Sequence, residues 1–150
     1  MKKTFRTVTG EETENLAAKL LPKLLKHRIL LLSGHLGSGK TTFVKGLAKA
    51  LGIKKRIKSP TYIYVNRYFI PNLPASSLQL PAALCHIDLY RLPAKTDARI
   101  FAELGLDELL GAPNTFSCIE WPERMKHFPF KSSKIRFTKR EKFHEIKVVL

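Results

Sequence analysis

Residues 34–41 of this chain read Gly-His-Leu-Gly-Ser-Gly-Lys-Thr, a complete G-x-x-x-x-G-K-[ST] loop, and no other feature restricts the fold as much. Before it stands Arg28-Ile-Leu-Leu-Leu-Ser33, an apolar run of strand length. After it, Thr42-Phe-Val-Lys-Gly-Leu-Ala-Lys-Ala-Leu51 sets apolar residues at helical spacing. Strand, glycine loop and helix in that order predict a phosphate-binding loop. Gly34, Gly37 and Gly39 permit a tight turn whose N–H groups point inward at a phosphate chain. A helix opening at about Lys40 adds the positive end of its dipole. Lys40 then reaches the β- and γ-phosphates, and the Thr41 hydroxyl is a ligand for Mg²⁺. His35, Leu36, Ser38 and Thr42 complete the nucleotide-binding stretch.

A length of 150 residues and 44% apolar content predict one globular domain over residues 1–150. The N-terminal Met-Lys-Lys-Thr-Phe-Arg-Thr carries charge with no apolar region behind it, and no run reaches transmembrane length. A cytoplasmic protein without membrane contact is therefore expected. Cys85 and Cys118 lie in apolar, strand-like runs without metal-site spacing, as small buried residues in a reducing compartment do.

Charge is distributed unevenly. The net charge is +15, and residues 15–87 hold 12 Lys and Arg but no Asp or Glu. That acid-free block surrounds the glycine loop and includes Lys54-Lys55-Arg56-Ile57-Lys58. A polyanion surface, with tRNA or another RNA near the nucleotide, is one reading, and a merely solvated basic surface is the other. No RNA-binding module decides between them. The block also works by elimination. Carboxylates for a Mg²⁺-dependent phosphoryl-transfer site must come from the second half of the chain or its extreme N-terminus.

Along the rest of the chain, Lys3–Val8 alternates as a strand does. Thr9-Gly-Glu-Glu12 resembles a capping box for a helix to about Leu25, in which Pro22 marks a kink or an early end. Strands are expected at Tyr62–Ile70, Leu84–Asp88 and Phe116–Glu120, with a loop from Pro71 to Pro81. Residues 97–110 predict one or two short helices broken at Gly105, and Glu123–Phe128 a helical turn. Lys134–Thr138 and Phe143–Val149 form an antiparallel closing pair. The expected fold class is α/β: a P-loop NTPase-like central mixed, mostly parallel sheet flanked by helices.

Two carboxylates end strands. Asp88 closes Leu84–Asp88, where open α/β sheets bind ligands, and can hold Mg²⁺ directly or through water; a simple turn role competes. Glu120 ends the next apolar strand before Trp121-Pro122, and can ligand Mg²⁺ or orient the attacking water; capping ahead of Glu123 competes. Thr61 follows Pro60 about 20 residues beyond Thr41, as a hydroxyl in a nucleotide-sensing switch would. Trp121 is either core or a rim aromatic.

Gly34–Thr42, Ser59-Pro-Thr-Tyr62, His86-Ile-Asp-Leu-Tyr-Arg91 and Ile119-Glu-Trp121, in that order and spacing, resemble the TsaE (YjeE) family. The resemblance spans residues 34–122. It implies an ATPase required for threonylcarbamoyladenosine modification of tRNA, acting with the TsaD–TsaB pair that modifies adenosine 37. By the same resemblance ATP and Mg²⁺ are the cofactors, with Lys40 and the loop amides on phosphates and Thr41 on the metal. Thr61 lies in the switch-like segment, Asp88 is a metal-site or catalytic carboxylate, and Glu120 approaches the Mg²⁺. Tyr90 and Arg91 shape the site or a partner surface. His35 stands where an acid is common in the family, and Tyr62 where Phe is common. The competing enzyme class is a small-molecule kinase, which generally needs an arginine-bearing lid; the 71–81 loop has no Arg.

Overall fold

A computed structural model describes residues 2–71 and 81–150. Its frame is a seven-stranded sheet with a helical layer on each face. In chain order the strands are β1 (Lys2–Thr7), β2 (Ile29–Ser33), β3 (Val65–Phe69), β4 (Ala83–Asp88), β5 (Thr115–Glu120), β6 (Ser133–Lys139) and β7 (His144–Val149). The helices are α1 (Gly10–Leu24), α2 (Lys40–Ala50), α3 (Ala98–Glu103) and α4 (Leu106–Gly111). Across the sheet the order is β1-β7-β6-β2-β5-β4-β3. β6, β2, β5 and β4 run parallel to one another, while β7 and β3 are antiparallel to their neighbours.

Period-two alternation divides the core. Leu30 and Leu32 of β2 face one cluster with Phe116 and Cys118 of β5, under Leu20 and Leu24 of α1 and Phe43 and Leu47 of α2. Leu31 of β2 and Ile119 of β5 face the opposite cluster, with Ile87, Leu89, Phe101, Leu106 and Met125. A strand covered on both faces is apolar throughout, which is why Ile29-Leu-Leu-Leu32 shows no alternation in type.

α1 starts with a reciprocal capping box. Thr9 Oγ1 accepts from the Glu12 N–H at 3.1 Å, and Glu12 Oε2 accepts from the Val8 N–H at 2.7 Å. Pro22 stays inside α1, whose last residue is Leu24, so the helix ends two residues later rather than at the proline. The break expected at Gly105 separates α3 from α4. The loop expected over Pro71–Pro81 lies, apart from its two ends, outside the described residues.

Two boundaries differ from expectation. β3 begins at Val65, not Tyr62, because Pro60–Ile63 closes a turn and Tyr64 takes φ 62°, outside extended geometry. In place of a turn over Glu123–Phe128 there is only a 3₁₀ turn at Pro122–Arg124. Beyond it Met125 is extended and forms an isolated bridge with Thr96: Thr96 N–H donates to Arg124 O, and Lys126 N–H to Thr96 O. The closing strands are antiparallel as expected but are not an appendage, since β6 also pairs with β2 and β7 with β1. No helix among the described residues is long and apolar enough to cross a membrane.

Candidate functional site

The site forms at the carboxyl ends of β2, β5 and β4. Asp88 and Glu120 are register partners at the ends of neighbouring parallel strands, and Glu120 lies one strand from the residue pair that leads into the glycine loop. A cavity of about 430 Å³ opens there. It is lined by Leu36 to Thr42, by Ser59, Thr61, Asp88, Tyr90, Glu120 and Trp121, and by Thr9, Gly10, Thr13 and His144.

The loop needs its first and last glycines for different reasons. Gly34 has φ 143°, and a Cβ there would stand 2.5 Å from the Phe137 carbonyl oxygen. Gly39 caps α2 with φ 104°, which lets the chain turn directly from loop to helix. The Ser38 hydroxyl is buried in this cradle without a partner among the described residues. Unfilled donor capacity inside an amide-lined turn fits an anion.

Lys40 is nearly sealed, at 4% exposure. Its Nζ donates to Gly34 O at 2.7 Å and His35 O at 3.0 Å, and sits 4.3 Å from the centroid of the Trp121 ring. Burial pulls its pKa below the ordinary lysine value, and the charges of Glu120, Glu123 and Asp88 oppose that pull. Trp121 reaches this position through a left-handed backbone, φ 59° and ψ 47°, that turns the chain at the end of β5. Its ring also packs against Tyr90, with centroids 5.0 Å apart.

The carboxylates are held in unlike ways. Glu120 Oε1 accepts from the Thr41 hydroxyl at 2.7 Å and from His86 Nε2 at 2.8 Å. His86 is fully buried and its Nδ1 has no partner among the described residues, so Glu120 is the one side chain there that satisfies its ring. Asp88 Oδ2 accepts from the hydroxyls of Ser59 at 2.6 Å and Thr61 at 2.8 Å, and Oδ1 accepts from the Tyr90 N–H at 2.9 Å. The turn that shortens β3 thus brings the Ser59-Pro60-Thr61 segment onto Asp88.

Lys40, Thr41, Thr61, Asp88 and Glu120 therefore meet in one cavity, with Leu36, Gly37, Ser38, Gly39 and Thr42 around it. Gly34 and His35 lend only carbonyls to Lys40; with Trp121 and Arg136 they line a second hollow of about 400 Å³. Arg91 is outside the main cavity, its guanidinium 4.8 Å from the centroid of the exposed Tyr62 ring. Three contributors escaped the sequence reading. His86 had a signal, being a polar residue two positions before Asp88 in an apolar strand and hence on the same face. Ser59 lay in a noted motif but looked like turn chemistry, and His144 carried no signal. The hard oxygen set of Thr41, Glu120 and Asp88 suits Mg²⁺, which takes one or two carboxylates and completes its shell with water and phosphate.

Comparison with known proteins bears on this geometry. The family model for "Threonylcarbamoyl adenosine biosynthesis protein TsaE" matches residues 7–147. A relative from Nostoc sp. PCC 7120, a tRNA threonylcarbamoyladenosine biosynthesis protein TsaE, is 37% identical over 79% of this chain and 67% of its own length. Another of that name, from Aquifex aeolicus, is 36% identical over 77% of this chain and 74% of its own length. The crystal structure of Bacillus subtilis YdiB superposes with a TM-score of 0.65 and 28% identity, covering 99% of this chain and 84% of that one.

Proposed function

This chain belongs to the TsaE family of tRNA threonylcarbamoyladenosine biosynthesis proteins, and on that premise we propose that it is a Mg²⁺-dependent ATPase acting with a TsaD–TsaB-like complex. The observation that carries the proposal is the contact of Thr41 Oγ1, from the glycine loop's helix, with the Glu120 carboxylate at the end of the adjacent strand. A hydroxyl and a carboxylate at that place are what a phosphate-bound Mg²⁺ needs from protein.

In this reading the loop amides and Lys40 bind the β- and γ-phosphates, so Lys40 exchanges the two carbonyls it now contacts for phosphate oxygens. Thr41 and Glu120 hold the Mg²⁺, with Asp88 beside them. Bound Mg²⁺ neutralises charge on the phosphate oxygens. Asp88 orients the water for in-line attack on the γ-phosphate and takes up its proton. Ser59 and Thr61 keep the Asp88 carboxylate pointed, and Thr61 makes the segment sensitive to the nucleotide's terminal phosphate. Trp121 and Tyr90 wall the cavity against solvent. The sheet takes strands from both ends of the chain, which supports reading residues 1–150 as one domain.

The test separates chemistry from folding. Glu120→Gln keeps an amide oxygen for Thr41 and His86 while removing the charge; in Asp88→Asn the amide oxygen accepts from the Tyr90 N–H and the NH₂ donates to the Ser59 and Thr61 hydroxyls, which can turn to accept. Both variants should remain folded by circular dichroism, with ATP turnover lowered about 100-fold or more. Wild-type turnover in both variants would refute the assignment.

A further inference from the structure

A larger hollow, of about 720 Å³, lies at the opposite edge of the sheet from the nucleotide cavity. Its walls are Ile53, Lys54 and Lys55, just past the end of α2, and Arg67, Tyr68 and Phe69 of β3. The cavity takes the first residues of α2 and the carboxyl end of β4, whereas Phe69 pairs with Ala83 at the amino end of β4. The two sites share no residue.

The basic segment beside this hollow is held in place. Ile53 and Ile57 are buried, while Lys54, Lys55, Arg56 and Lys58 between and after them are exposed. At its far end the Lys58 N–H donates to the Tyr68 hydroxyl at 3.3 Å, and Asn66 Nδ2 donates to Lys58 O at 3.2 Å. Two apolar anchors and two bonds to β3 thus fix the backbone from which the cations project. Every wall residue comes from the stretch 15–87, which contains no Asp or Glu, so no carboxylate of the wall neutralises them.

Phe69 is the second observation. Alternation along β3, the last strand of the sheet, buries Tyr68 and turns Arg67 and Phe69 outward together. The Phe69 ring is 75% exposed, and the Arg67 guanidinium lies 5.4 Å from its centroid. A flat apolar ring among uncompensated cations matches a polyanion that also carries flat rings. An acidic peptide supplies the charge without the rings, and a duplex keeps its bases stacked inside.

We propose that this hollow binds RNA at an unpaired stretch, with Lys54, Lys55 and Arg67 on phosphates and a base stacked on Phe69. Membership of a tRNA-modification family makes tRNA the natural source of such a stretch. The site stands independently of the ATP reading.

Fluorescence anisotropy with a labelled RNA single strand of about 12 nucleotides tests it, between about 50 and 200 mM salt. Phe69→Ala should weaken binding about fivefold or more with the salt slope kept, and Phe69→Tyr should retain wild-type affinity. Lys54→Ala with Lys55→Ala should weaken binding and make the log–log salt slope shallower by about one or more. Lys2→Ala with Lys3→Ala removes equal charge from the far edge strand, and should change affinity much less. ADP affinity should be the same in all four variants as in wild type. Absence of RNA binding by wild type at low salt overturns the proposal. So does an equal loss in the two lysine pairs, which would mean diffuse attraction, or an unchanged affinity in Phe69→Ala. Displacement of the RNA by polyglutamate at equal charge concentration would assign the surface to an acidic protein instead. A wild type that binds RNA as described but no ADP would refute the ATP reading and leave this site standing.

Discussion

Glu120 is asked to do two things at once: satisfy the buried His86 and present an oxygen toward the glycine loop. It does so by gathering both hydrogen bonds on Oε1. Substituting alanine there would strand the His86 Nε2–H in the core, at about 1–3 kcal/mol, so a loss of activity in that variant would mix folding with chemistry. In the cysteines burial is the largest cause, opposed at Cys85 by the nearby charge of Arg67. Burial pushes the Cys85 thiol up to about 11, and pushes Cys118 up as well, helped by Glu120 and Cys85. At pH 8 a thiol reagent should therefore leave the folded protein unlabelled and modify both cysteines after unfolding in denaturant, as read by mass spectrometry. The stability effect follows from the sign. Between the ordinary value of 9.0 and about 11 the unfolded chain releases the Cys85 proton and the folded one keeps it. Stability is thus whole below about pH 9 and falls as pH rises through that window. A melting temperature that rises from pH 9 to 11 would contradict this.

At the scale of elements, the tightest packing is between α1 and α2. A Cβ on Gly46 of α2 would overlap the Glu14 carbonyl oxygen of α1, and backbone cannot move aside as a side-chain tip can. Gly46→Ala should destabilise by about 1–3 kcal/mol or more in a denaturant titration. Gly111→Ala, where a Cβ meets nothing within 4 Å, should be neutral or slightly stabilising, despite identical chemistry. Equal midpoints for the two variants would contradict the packing account. Elements whose cause is local were legible in the sequence: the Thr9–Glu12 capping box, the apolar β2 and the glycine loop need only their own residues. Those decided elsewhere were not. The Ser59–Tyr64 segment has strand-forming residues, yet its Ser59 and Thr61 hydroxyls are drawn to Asp88, more than 20 residues on. The chain after Arg124 has helix-forming residues, yet Met125 is held extended in a bridge to Thr96. The carboxylates of the site could be read because strand ends are visible in sequence; His144 could not, because only the sheet order brings β7 to the loop.

The whole molecule carries an imbalance that neither core nor cavity uses. A net charge of +15, with an acid-free stretch around the loop, supports a tRNA-facing surface as part of the proposed assembly. If so, affinity for tRNA should fall steeply between 50 and 200 mM salt, by about 10³ or more for six or more phosphate contacts. A flat salt response would leave the lysines as solvated surface. Family membership places the chain in tRNA threonylcarbamoyladenosine biosynthesis, and ATP hydrolysis in the cavity is the activity proposed for it there. The most direct test of that claim is phosphate release from ATP by the purified chain, alone and with a TsaD–TsaB pair and tRNA. The account predicts release that requires Mg²⁺, is abolished by chelator and by Lys40→Ala, and rises strongly with the pair. No release under any of these conditions, or transfer of the phosphoryl group to a small acceptor in place of water, would contradict it.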